Sequence, residues 1–129
     1  MIEEGLYSYL TSQSTITDIV GDRVYPTKLP QTPELPCVVF TTLGSYPIAR
    51  QDGKAVLDRT QFQIDCYANT SLDAKLLSKA IRDVLERYVG PMGTHTVRDT
   101  QLLETGVDDF DDVPNDFRVT SGFEIWHTL

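Results

Sequence analysis

The sequence predicts an α+β fold: a single domain with a mainly antiparallel β-sheet and helices packed on one face. Three observations carry this. Residues 60–68 alternate strictly, with Phe62, Ile64 and Cys66 on one side and Gln61, Gln63 and Asp65 on the other, the pattern of a half-buried strand. The segment that follows switches to helical spacing and runs to Gly90-Pro91. The element order is helix, strands, helix, strands, without the regular strand–helix alternation of a parallel sheet.

Residues 2–10 read as a short helix, with Ile2, Leu6, Tyr9 and Leu10 along one face and Gly5 weakening it. Residues 14–20 form a second helical stretch stopped by Gly21. Val24, Tyr25 and Pro26 make a brief extended piece. Pro26, Pro30, Pro33 and Pro36 then exclude regular helix, so residues 26–36 are an ordered connection. Residues 37–43 are rich in β-formers and predict a strand. Residues 44–58 read as a long polar loop or the tips of a hairpin, and the strand at 59–68 is expected to pair antiparallel with 37–43.

The long helix opens at Thr70 or Ser71, where Thr70 and Asp73 match a capping box. Leu72, Leu76, Leu77, Ala80, Ile81, Val84, Leu85 and Tyr88 recur at helical spacing. Burying such a stripe against a sheet contributes roughly 1.5–3 kcal/mol per large apolar side chain. Gly90 and Pro91 stop the helix. Residues 95–105 predict a strand, 106–116 a polar acidic loop, and 117–127 a final strand. In that strand Phe117, Val119, Phe123 and Ile125 share one face, and Arg118, Thr120, Glu124 and Trp126 the other.

Composition narrows the function. The chain has 129 residues and a formal net charge of -8. Its 11 basic residues are scattered, which argues against unassisted binding to a nucleic-acid backbone. No apolar run approaches the roughly 20 residues of a membrane span, and the acidic start Met1-Ile2-Glu3-Glu4 lacks a signal-peptide core. No membrane partner and a cytoplasmic site of synthesis are the expectations. Cys37 and Cys66 fit no CxxC pattern and are expected to be buried reduced thiols.

Signals for catalysis are poor. There is no Gly-x-Ser-x-Gly elbow and no phosphate-binding loop. Gly90-Pro91-Met92-Gly93 follows a helix and does not open one. His95 and His127 stand at no ligand spacing to another His or Cys. No catalytic, cofactor-binding or metal residue is therefore assigned, and no cofactor is expected. Asp108, Asp109, Asp111 and Asp112 form the sharpest charged feature, but the central Gly and closing Glu of an EF-hand are missing. An electrostatic surface, a weak cation site and a solvated loop all remain open for it. Asp65 has two readings: a partner for a cross-strand Arg such as Arg118 or for a neighbouring subunit, or a solvent-facing charge. Trp126, Tyr67 and Phe40 are candidates to line the sheet face away from the helices, as a protein interface or under covering loops or a second helix.

Several short segments then add up. These are Glu3-Glu4-Gly5-Leu6-Tyr7, Val20-Gly21-Asp22-Arg23-Val24-Tyr25-Pro26, Leu35-Pro36-Cys37-Val38-Val39-Phe40, Phe62-Gln63-Ile64-Asp65-Cys66-Tyr67-Ala68, and the terminal Phe117-Arg118-Val119 with Phe123-Glu124-Ile125-Trp126. Together and in this order they resemble the bacteriophage tail-completion, or tail terminator, proteins that join tail to head. The likeness spans nearly the whole chain, so residues 1–129 are expected to be one tail-terminator-like domain. The acidic 106–116 segment matches no family segment.

The resemblance implies a structural virion protein and not an enzyme. Such a protein is expected to assemble in the bacterial cytoplasm as a homo-oligomeric ring, usually a hexamer, on the head-proximal end of the tail tube. Its partners would be itself, the major tail tube protein and a head-completion or connector protein. DNA would pass through the lumen without specific binding. Interface candidates are Asp52 and Lys54 in the 44–58 segment, Asp65 and Tyr67 at the edges around that strand, the acidic Asp108, Asp109, Asp111 and Asp112, and Trp126. The alternative from another class is a small acidic α+β domain that binds a ligand or cation through the acidic loop.

Overall fold

The computed structural model describes residues 1–28, 34–49, 53, 55–111 and 116–128, excepting the side chains of 55–56, 104–111 and 116. In chain order the elements are α1 (Ile2–Thr11), α2 (Ser14–Val20), β1 (Val24–Pro26), β2 (Cys37–Ala49), β3 (Ala55–Ala68), α3 (Ser71–Leu85), β4 (Gly90–Met92), β5 (His95–Asp111) and β6 (Asp116–Thr128). The strands form one six-stranded sheet in the order β1-β2-β3-β6-β5-β4. Only β1 and β2 pair in parallel; every other neighbouring pair is antiparallel. This is the α+β architecture the sequence predicts.

One face of the sheet carries all three helices. Leu6 and Leu10 of α1, Ile16 and Val20 of α2, and Leu77, Ile81 and Leu85 of α3 share a buried core with Phe62, Ile64, Cys66, Phe123 and Ile125. The alternation in residues 60–68 therefore predicts the buried side correctly. It works because an antiparallel strand with one covered face must alternate. Thr70 caps α3 as its sequence predicts, accepting the Asp73 N–H at 3.1 Å.

Several expectations need correction. Of the two readings of residues 44–58 the hairpin holds and the polar loop does not: β2 runs to Ala49, β3 begins at Ala55, and the two pair antiparallel. Likewise residues 106–111 and 116, expected in an acidic loop, are strand: β5 runs to Asp111 and β6 begins at Asp116. Asp and Gly are poor strand formers, but antiparallel pairing of β2 with β3 and of β5 with β6 overrides that weak preference. Bulges at Leu43 and Leu103 absorb single extra residues in this long pairing. The helix ends at Leu85, short of Tyr88, because Arg87 turns into the left-handed region (φ 60°) and its N–H donates to the Thr100 carbonyl at 2.7 Å. Gly90 and Pro91 do not stop the helix, which has already ended at Leu85; they begin the short strand β4.

Two sets of apolar residues also move. Leu72 and Leu76 are exposed, and Ala74 takes their place on the buried stripe. Phe40 is buried under the helices, edge-to-face with Phe62, and does not line the opposite face. In the run Cys37-Val38-Val39-Phe40 every side chain is apolar and buried, so alternation could not assign the sides.

Candidate functional site

The sheet face away from the helices holds the polar ladder of the molecule. Strand register fixes its rows. Tyr46, Arg59, Trp126 and Asp99 lie across β2, β3, β6 and β5 in one row; Gly44, Gln61, Glu124 and Gln101 form the next. Two rows further are Val39, Asp65, Thr120 and Val107, and beyond them Cys37, Tyr67, Arg118 and Asp109.

At one end the Arg59 guanidinium sits between two rings, 5.8 Å from the Tyr46 centroid and 5.3 Å from that of Trp126. Arg59 Nε and Trp126 Nε1 are buried yet have no acceptor among the described residues. In the middle, Gln61 Nε2 donates to Glu124 at 2.9 Å. Asp65 is only 5% exposed, and accepts from Thr120 Oγ1 at 2.6 Å and from Gln63 Nε2 at 3.2 Å. Its solvent-facing reading is thus excluded in the single chain. Its cross-strand neighbour is Thr120, whereas Arg118 stands opposite Tyr67. Nor is Asp65 at an edge, because β3 lies between β2 and β6. At the far end Tyr67 packs with Cys37 and Val39, and Tyr25 and Leu35 cover that corner.

Of the interface candidates, the structure brings Asp65, Tyr67 and Trp126 onto this one face. Asp108, Asp109 and Asp111 fall on β5, opposite Val119, Arg118 and Asp116. Asp52, Lys54 and Asp112 lie outside the described residues. Sequence reading missed Tyr46, which sat in the stretch read as a loop or hairpin tip, and Arg59, at the first position of the 59–68 strand, because their pairing depends on the register between the two strands. Once 44–58 is read as a hairpin, the aromatic–Arg–aromatic row follows from register alone.

A second polar cluster lies on the helix side, near the start of α1. His127 is buried, and its Nε2 lies 2.8 Å from Thr60 Oγ1, which in turn is 3.2 Å from Ser45 Oγ. His95 stacks edge-on against His127 at 5.2 Å and holds the Thr128 carbonyl through Nδ1. The two histidines, distant in sequence, are therefore neighbours. Among the described residues, no group of three or more His, Cys, Asp or Glu side chains is placed to hold a metal. Cys37 and Cys66 are buried and unbridged. Burial first, then the nearby Asp65 carboxylate and Cys37, push the Cys66 thiol far up, which keeps it protonated and unreactive. No helix among the described residues is long and apolar enough to cross a membrane.

The fold has counterparts among solved structures. A chain of the "Virion of native gene transfer agent (GTA) particle" superposes with a TM-score of 0.73 at 14% identity, covering 100% of this chain and 95% of that one. A second solved structure gives a TM-score of 0.65 at 16% identity, covering 96% and 92%. At these identities the likeness speaks for the fold. Comparison with curated proteins gave no match. The family described as "Tail completion protein gp17" matches residues 4–128, nearly the entire chain. The chain thus belongs to the tail completion protein gp17 family.

Proposed function

We propose that this protein is a non-enzymatic virion component that caps the head-proximal end of a phage-type tail tube. It does so as a homo-oligomeric ring, expected to be a hexamer, which stops tube polymerisation and presents a surface to the head-completion protein. The observation that carries this reading is the family match over residues 4–128. The sheet face away from the helices supports it, since it gathers Tyr46, Arg59 and Trp126, all at least partly exposed, in one row of the kind found at protein interfaces. A net charge of -8 suits a channel through which DNA slides without adhering. The cation-binding alternative is less favoured, since residues 106–111 of the segment on which it depended belong to β5.

The test is deletion of the gene in the phage or prophage that carries it. Loss of joined particles, with unattached heads and tubes of uncontrolled length, is the expected outcome. Normal infectious particles would end the proposal.

A further inference from the structure

The sheet is open, and its two edges are covered at opposite ends. On one edge, β1 pairs with β2 only opposite Val38, Val39 and Phe40. From residue 41 onward, no strand among the described residues pairs with that side of β2. On the other edge, β4 pairs with β5 only opposite His95, Thr96 and Val97. The Arg87 N–H, donating to the Thr100 carbonyl, extends this cover to residue 100. From residue 101 onward, that side of β5 has no strand partner among the described residues.

Register shows that the open stretches overlap. Thr41, Gln63, Gly122 and Glu104 lie in one row, and Gly44, Gln61, Glu124 and Gln101 in another. Residues 41–44 and 101–104 therefore stand at the same height on opposite edges. Each stretch contains a bulge, and in each the extra residue is a leucine. Leu43 follows Thr42 and Leu103 follows Leu102, both in the row of Phe62 and Phe123. Leu43 is 57% exposed and Leu103 is 50% exposed. Bulges and charges usually blunt a sheet edge; these two bulges instead display an apolar side chain.

We infer that these edges are the two halves of one contact between copies of this chain. Residues 41–44 of one copy pair with 101–104 of the next, and Leu43 packs on Leu103. The inference rests on the ring reading above and names the contact that would build the ring. Strand direction agrees with it. β2 and β6 run one way and β3 and β5 the other, so rotation about an axis along the strands sets β2 beside an oppositely running β5. The sheet then continues antiparallel from copy to copy. A ring operator has no translation along its axis, so stretches at equal height meet. The contact joins two different surfaces, which is the kind that closes rings. Charge disfavours self-pairing: residues 95–111 hold five acidic side chains and one arginine, whereas residues 37–49 hold no charge. An acidic edge repels its own copy and accepts the neutral one.

Disulfide trapping tests this in tails from a deletion strain complemented with variants, where native Cys37 and Cys66 are buried. The Leu43→Cys, Leu103→Cys double variant should give, on oxidation, a ladder of covalent oligomers up to the full ring. Each single variant should stay uncrosslinked, and the two single variants assembled together should stop at dimers. Rings without trapping in the double variant, or equal trapping by either single variant, would overturn the inference while leaving termination intact. Tails of normal length with no ring at all would remove the ring reading itself. If cysteine disturbs assembly, Leu103→Lys serves: unchanged thermal unfolding with roughly tenfold lower incorporation is expected, and normal incorporation would refute the contact.

Discussion

Gly5 of α1 lies so close to Met92 of β4 that a β-carbon on Gly5 would sit 2.5 Å from the Met92 carbonyl oxygen. Gly93 faces it with φ +64°, and a β-carbon there would meet Gly5 Cα at 2.8 Å. Both are backbone contacts that no rotamer change relieves. Gly5→Ala should therefore destabilise the protein by roughly 1–3 kcal/mol, although alanine is intrinsically the better helix former. Denaturant unfolding of the purified variant checks this, and a gain in stability would contradict it.

Gly5 also marks the boundary of what the sequence discloses. In isolation it reads as a helix weakness, and its purpose appears only when β4 is placed against α1. Local period made the strand at 60–68 and the stripe of Leu77, Ile81 and Leu85 legible, because burial on one face imposes that period. Strand length was not legible. Residues 106–111 hold Gly106, Asp108, Asp109 and Asp111, and only pairing with β6 makes them strand. The candidate face was partly legible: Asp65, Tyr67 and Trp126 were in view, but the Tyr46–Arg59–Trp126 row depends on a register that no single strand reveals.

The Thr120 hydroxyl is the shortest described partner of the buried Asp65 carboxylate, at 2.6 Å. Thr120→Val keeps the shape and removes the donor. It should cost about 1.5–3 kcal/mol, the range for a hydrogen bond to a charged group. Thr120→Ser should retain most of the stability. Thermal or urea unfolding of the pair decides it; equal stability of the valine and serine variants would contradict the assigned bond.

The raised Cys66 thiol makes stability pH-dependent in one direction. The unfolded thiol ionises near its ordinary value of 9.0, while the folded one stays protonated well above that. Its contribution is complete below about pH 9 and falls by about 1.4 kcal/mol per pH unit above it. Cys66→Ala should remove that part of the slope between pH 9 and 11. Tyr9, raised by burial and by Tyr88, adds a slope of the same sign in both proteins and cancels in the comparison. Identical slopes in wild type and variant would contradict the buried-thiol account.

Thr70 caps α3 by accepting the Asp73 N–H. Thr70→Ala should cost about 1 kcal/mol, and Thr70→Ser much less. Urea midpoints at constant slope report the difference.

Tube length reports on the proposed role in ending tail-tube growth. Tails from a strain lacking the gene should be measured by electron microscopy beside tails from the complemented strain. Overlong or widely scattered tubes that do not join heads are expected without the gene, restored to one uniform length by complementation. Tubes of uniform, normal length joined to heads in the absence of the protein would contradict it.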